Sequence, residues 1–289
     1  MRKPPQPGSA RAAASVVQLN GRRVVVTGAA SGIGAALAHA LAARGARLVL
    51  ADIDTARLQA VCAALTAGQA SAHALDVADA AAVDALAQEV AAQGGADVLI
   101  NNAGVSLASS IEGMTLPDAH WLMNINFWGV VHGCRAFLPQ LRARAQARIV
   151  NVSSIFAMVS LPANGMYAAS KAAVRGLSDV LRLELAGSGV GVLCVHPGGI
   201  RTRIAAQARI GDISLLEVDA DELRRNFDQR LARTSAADAA LSIVRAIEQD
   251  RSRLLIGGDA RLADLLYRLA PQRASAWVAA KARRQRGKD

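Results

Sequence analysis

At 289 residues, 52% hydrophobic and 19% charged, the chain is long enough to bury one large core. No apolar run reaches the roughly 18 residues of a membrane span, so no membrane span is expected. The formal charge of +10 sits at the ends: residues 1–23 carry five basic groups and no acid, residues 273–289 six basic groups against Asp289, and residues 24–272 hold 22 of each sign. A neutral body gives no electrostatic reason to expect nucleic acid as a partner, and the basic ends read as solvated tails with lipid-surface or nucleic-acid contact as the minority reading.

Three cysteines, Cys62, Cys134 and Cys194, lie far apart without a CxxC pair, which suits small core residues in a reducing compartment, the cytoplasm by default. Five histidines show no ligand spacing, so no metal is expected. Residues 1–20, with Pro4, Pro5 and Pro7 and no acid, read as a disordered basic extension that faintly resembles an organellar transit peptide.

From there, β-branched and leucine-rich runs alternate with alanine-rich segments of helical period. Strands are predicted at Arg22–Thr27, Arg47–Ala51, His73–Leu75, Asp97–Ile100, Arg148–Val152, Val190–Val195 and Arg253–Ile256. Helices are predicted at Gly32–Arg44 and Thr55–Leu65, around Pro117–Leu141 and at Tyr167–Leu185. This alternation implies an α/β fold: a doubly wound, Rossmann-like parallel sheet covered on both faces, in a single domain over residues 21–257. Residues 201–233, irregular and rich in Arg, Asp and Glu, read as a lid. Residues 258–289 read as a helical basic extension anchored by Leu262, Leu265, Leu266, Leu269 and Trp277, docked on the body or on a subunit.

The first strand runs into Thr27-Gly28-Ala29-Ala30-Ser31-Gly32-Ile33-Gly34 and straight on into a helix. Glycines let a backbone approach a ligand closely, and the helix start offers free N–H groups to a pyrophosphate. The lysine of a GxxxxGK[ST] phosphate loop is missing. The second strand ends at Asp52, 18 residues after Gly34, where a carboxylate accepts hydrogen bonds from ribose hydroxyls and repels a 2′-phosphate. Neither Ser31 nor Ile53 supplies a compensating positive charge, so the reading favours NAD over NADP. Lys171 is the only lysine outside the tails, and it stands four residues after Tyr167, one of two tyrosines. On a helix the two share a face, and a phenol beside an ammonium is a simple way to build a general acid/base near neutral pH.

With these motifs together, the chain resembles the short-chain dehydrogenase/reductase family in its compact single-domain branch, over about residues 21–257. The TGxxxGIG turn is matched at Thr27–Gly34, supplying Gly28, Ser31, Gly32, Ile33 and Gly34 as cofactor contacts. Asp76-Val77 matches the family's adenine-contacting pair, and Asn101-Asn102-Ala103-Gly104 its NNAG segment. Pro197-Gly198-Gly199-Ile200-Arg201-Thr202 matches the PGxxxT segment that holds the nicotinamide carboxamide and phosphates. Asn126 falls where the family carries its catalytic asparagine, and Ser154, 13 residues before Tyr167, where it carries its serine; Tyr167 and Lys171 complete the tetrad. Departures are Ala157, where many members have glycine, and the two extensions.

The resemblance implies an NAD(P)-dependent oxidoreductase that interconverts a secondary alcohol and a ketone, assembled as a homodimer or homotetramer. Tyr167, its pKa lowered by Lys171 and the oxidised nicotinamide, is then the general base, and Ser154 binds the substrate oxygen. Lys171 also fixes the nicotinamide ribose, and Asn126 positions a water that relays the proton. Phe156, Met158, Leu161, Met166, Ile200, Ile204 and Phe227 suit an apolar small-molecule substrate, while Arg201, Arg203 and Arg209 leave an anionic one open. Alternatives are a non-catalytic nucleotide-sensing or structural protein of the same fold, and an enzyme using bound nicotinamide for epimerisation or dehydration.

Overall fold

Strand runs such as Arg-Val-Val-Val-Thr and Arg-Leu-Val-Leu-Ala-Asp have no polar alternation, so both of their faces need apolar cover. In the computed structural model, which describes residues 17–226 and 233–286, they receive it. The elements in chain order are β1 (Arg23–Thr27), α1 (Gly32–Ala42), β2 (Arg47–Asp52), α2 (Thr55–Ala63), β3 (Ala70–Ala74), α3 (Ala80–Ala92), β4 (Val98–Asn101) and β5 (Leu107–Ala108). Next come α4 (Leu116–Met123), a π-helical turn (Asn124–Trp128), α5 (Gly129–Arg142), β6 (Ala147–Val152), a 3-10 turn (Ile155–Ala157) and α6 (Gly165–Glu184). The chain continues with β7 (Val190–Pro197), β8 (Ile200–Arg201), β9 (Arg209–Ile210), a second 3-10 turn (Ser214–Leu216), α7 (Ala220–Asn226) and β10 (Thr234–Ser235). It closes with α8 (Ala236–Glu248), β11 (Arg253–Ile256), α9 (Gly258–Leu269) and α10 (Pro271–Arg286).

Seven strands form one parallel sheet in the order β11-β7-β6-β4-β1-β2-β3. One face is packed by α1, α2 and α8 through Leu37, Leu41, Leu58, Ile243 and Ile247; the other by α3, α5 and α6 through Leu86, Phe137, Leu141 and Leu181. The doubly wound expectation holds. The strand order reverses between β1 and β4, and beyond their carboxyl ends such sheets leave a crevice for ligands.

Several boundaries moved. β3 begins three residues ahead of the expected strand, because Ala-Ser-Ala-His-Ala has little β propensity and is set by its register with β2 (Leu48 opposite Ala70, Asp52 opposite Ala74). The long helix expected around Pro117–Leu141 is interrupted by the π turn. The packed body also begins ahead of residue 21: Val17 and Leu19 are buried, and the Val17 amide donates to Glu248 O at 2.9 Å. Residues 1–16, where most of the expected N-terminal extension falls, lie outside the described residues. So does 227–232, which includes Phe227.

Within residues 201–233, expected as a lid, β9 pairs with β5, and at the two ends of the segment β8 pairs with β10. The C-terminal extension docks by small residues. Ala260, Ala263 and Ala274 pack on Ile155, Met158 and Val159, with Leu266 and Tyr267 alongside. Leu262, Leu265 and Leu269, expected as anchors, are 39%, 53% and 74% exposed, so only Leu266 of the four leucines serves the body.

Candidate active site

The glycine turn is dictated by crowding. Gly28 has φ +66°, and a Cβ there would stand 2.7 Å from Ala103 Cα; at Gly34 it would stand 2.0 Å from Gly28 O. Only glycine permits this approach of β1, α1 and the segment after β4. Ser31 is the N-cap of α1, yet its side chain makes no capping bond, so the first amides of the helix are left to the cleft.

Thr27 and Asn102 lock the switch point. The Thr27 hydroxyl accepts from the Asn102 and Ala103 amides at 3.1 and 3.2 Å, and Asn102 Nδ2 donates to Thr27 O and Gly28 O, both at 3.0 Å. Beneath them a buried amide chain ties β4 to β6 and α6: Asn101 Nδ2 donates to Asn151 Oδ1 at 2.9 Å, and Asn151 Nδ2 to Ser178 Oγ at 3.0 Å. Asp52 closes the turn from β2. Its Oδ2 accepts from the Ala30 amide and its Oδ1 from the Asp54 amide, each at 2.9 Å. Asp76 Oδ1 accepts from the Ala78 amide at 2.9 Å, and Val77 O is held by His132 Nδ1 at 3.0 Å.

Across the cleft, α6 carries Tyr167 and Lys171 on one face, as their spacing requires. Lys171 is buried and Nζ donates to Val152 O at 3.0 Å; burial brings its pKa down to about 8. Nζ lies 5.8 Å from the Tyr167 ring centroid. The expected lowering of the phenol by this ammonium is not what the protein's own groups produce. Burial raises the Tyr167 pKa, and the opposing pull comes from its hydrogen bond with Ser154. The Ser154 hydroxyl also accepts from the Phe156 amide at 3.2 Å, and Phe156 meets the Tyr167 ring edge-on.

Asn126 sits in the π turn, whose extra residue lets it point inward. It is fully buried. Oδ1 accepts from the Val105 amide at 2.8 Å, and Nδ2 donates to Val105 O at 3.0 Å and to Ser170 Oγ at 3.3 Å. A Cβ on Gly104 would stand 3.3 Å from both Asn126 Oδ1 and Lys171 Nζ, so a glycine keeps these groups together.

One cleft of about 1170 Å³ is lined by Gly28, Ser31, Gly32, Ile33, Asp52, Asp76, Val77, Asn102, Ala103 and Gly104 on one side. Ser154, Tyr167, Lys171, Pro197, Gly198, Ile200 and Thr202 line it on the other. Gly34 and Asn126 stand behind the wall. Of the expected substrate-facing residues, Phe156, Leu161, Ile200 and Ile204 line the cleft, whereas Met158 and Met166 do not. Met158 is buried against the extension and contacts Arg253. Leu215, Leu216, Val218 and Leu223 add apolar wall from the lid segment. Arg203 faces the cleft, but Arg209 is paired with Asp118 at 2.7 Å and lies over the Trp121 ring.

Sequence reading missed Thr27 as a clamp, His132, His196 and the reach of the extension to the cleft. Buried His196 contacts Ser154 O through Nδ1 at 3.2 Å; a carbonyl only accepts, so Nδ1 carries the proton. From α9, Asp259 Oδ2 accepts from the Gly199 amide at 2.7 Å; from α10, Ser275 Oγ accepts from Ser160 N at 3.1 Å, and Ala279 reaches the cleft. None of these has a local sequence signature. Among the described residues no cluster of three His, Cys, Asp or Glu side chains could hold a metal.

The family model described as short chain dehydrogenase matches residues 22–212. SadH of Mycobacterium tuberculosis, whose name calls it an oxidoreductase, is 39% identical over 255 residues, 86% of this chain and 91% of that protein. A crystal structure of a short-chain dehydrogenase/reductase from Burkholderia phymatum in complex with NAD is 31% identical, with a TM-score of 0.78 over 89% of this chain and 98% of that one. A short chain dehydrogenase from Burkholderia cenocepacia J2315 in complex with NADP is 27% identical, with a TM-score of 0.74 over 90% and 98%. These proteins are similar in sequence and in fold.

Proposed function

The chain belongs to the short-chain dehydrogenase/reductase family, and from that premise we propose that it interconverts a secondary alcohol and a ketone on an apolar small molecule, with NAD as cofactor. The observation that carries the reading is the convergence of Ser154, Tyr167 and Lys171 on the cleft that also receives the uncapped start of α1 and the Asp52 carboxylate. The cradle fits a dinucleotide: Gly28 and Gly32 adopt left-handed conformations that bring bare backbone to the cleft. A bound nicotinamide supplies the hydride-accepting ring.

In this reading Tyr167 takes the proton from the substrate hydroxyl and returns it in the reverse direction. Its phenol is raised by burial, so a cationic neighbour is required to bring it toward neutrality; Lys171, with the oxidised nicotinamide, is that source. Ser154 holds the substrate oxygen and stabilises its developing charge. Asn126, turned inward on Val105 and Ser170, fixes the chain beside Lys171 and the relay water.

NAD is favoured over NADP by charge. Among the described residues lining the cleft beside Asp52, Ile53 is exposed and apolar, and the one cation, Arg57, is paired with Asp54 at 3.1 Å. The apolar substrate is supported by Phe156, Leu161, Ile204, Leu216 and Leu223 in the wall, and activity confined to charged substrates would overturn it. Exposed Trp128 at the end of the π turn, and Val180 and Leu183 on α6, support assembly as a homodimer or homotetramer.

The test is Tyr167→Phe, read by NADH fluorescence titration and by turnover of secondary alcohols. NADH affinity is expected to hold while turnover falls roughly 10²- to 10⁴-fold. Near wild-type turnover removes the role of Tyr167, and binding of neither NADH nor NADPH by the native protein removes the whole reading.

A further inference from the structure

α9 sits on the body by one face and turns the opposite face outward. Ala260, Ala263 and Asp264 are buried, while Leu262, Leu265 and Leu269, at i, i+3 and i+7, form one exposed stripe. The acids of this helix point inward or pair: Asp259 bonds the Gly199 amide, and Asp264 is held by Arg253 and Arg268. Arg261, Arg268 and Arg273 remain on the exposed surface, and the sequence adds Lys281, Arg283, Arg284, Arg286 and Lys288 against Asp289 alone.

We propose that α9, together with the basic segment beyond it, docks the protein reversibly on an anionic lipid surface. A short helix of low overall hydrophobicity, with a leucine stripe rimmed by arginine, has the composition of a helix that lies in a lipid–water interface. Lipid headgroups of negative charge complement the rim and the following segment, each basic group adding to the attraction near the surface. A second copy fits less well. Two-fold pairing through this stripe sets two positively charged extensions against each other, and like charges across an interface are repulsive. Ala279, on α10 of the same extension, lines the cleft, so docking holds the cleft close to the lipid.

The experiment is flotation of the full-length protein with phosphatidylcholine vesicles, with and without phosphatidylglycerol. We expect at least roughly tenfold more bound protein with phosphatidylglycerol, and release at about 1 M salt, where charges are screened within about 3 Å. The double variant Leu265→Glu/Leu269→Glu alters only exposed positions. It is expected to lose flotation while keeping its melting temperature and NADH affinity. No flotation with either vesicle overturns the proposal. Undiminished flotation of the double variant overturns the role of the stripe, and a change of oligomeric state in that variant on size-exclusion chromatography assigns the stripe to a second copy.

Discussion

The carboxylate of Asp259, in the first turn of α9, accepts a 2.7 Å hydrogen bond from the Gly199 amide. Gly199 O meanwhile accepts from the Thr234 amide at 3.2 Å, so the loop joining β7 to β8 is gripped from both sides. This loop lines the cleft through Pro197, Gly198 and Ile200. A residue after β11 therefore positions a wall of the cofactor cleft without touching the reacting atoms.

Asp259→Ala is expected to weaken NADH binding about tenfold, the lower end for a hydrogen bond to a charged group because Asp259 is exposed. kcat should change little. Asp259→Asn keeps an acceptor oxygen and is expected to recover most of the affinity. Equal losses in both variants, or a loss in kcat alone, would refute a positioning role.

Asp52 does two things at once, and the conservative variant separates them. Asp52→Asn retains an oxygen for the Ala30 amide and removes the charge. The ratio of NADPH to NADH affinity is expected to rise roughly tenfold or more as like-charge repulsion is relieved. Titration of both cofactors reads the ratio; an unchanged one would mean Asp52 serves only to close the turn.

His196 makes stability depend on pH. Burial pushes its pKa down to about 4, with the cations Arg253 and Arg175 acting in the same direction and Ser154 O and Asp264 against it. The unfolded side chain titrates near 6.5. Between these values the unfolded chain binds a proton that the folded one refuses, so acidification favours unfolding. The contribution is present above about pH 6.5 and is lost toward pH 4, by up to about 3 kcal/mol. Urea unfolding at pH 7 and pH 4.5 should show a smaller acid loss in His196→Asn than in the native protein. Identical losses would remove His196 from the account.

The parts of the molecule legible in the sequence are those with local signatures. Val24–Val26 and Leu48–Leu50 announce buried strands by composition alone, and the turn from Thr27 to Gly34 is legible because it needs glycine where nothing else fits. Tyr167 and Lys171 meet because helical spacing makes them meet. The rest depends on partners distant in sequence. Ala70–Ala74 becomes a strand only because β2 offers its edge, and β5 and β8 are two-residue strands created by contacts with β9 and β10. The leucines of α9 have a helical period, but period does not say which face is covered; Ala260 and Ala263 took the body because small residues permit close approach. The phenol of Tyr167 divides in the same way: spacing places a cation nearby, while burial, which raises its pKa, is a property of the whole fold.

The strand order also has a consequence for how the chain is assembled during synthesis. β3, β2, β1 and β4 are sheet neighbours drawn from residues 23–101, so this half can pair as soon as it leaves the ribosome. β4 is then an open edge until β6 arrives and Asn151 meets Asn101 across it. Tyr167, Lys171 and the Pro197–Ile200 loop come later still, and β11 must be translated before α9 can grip that loop. The nucleotide cradle is thus laid down early and its opposite wall last.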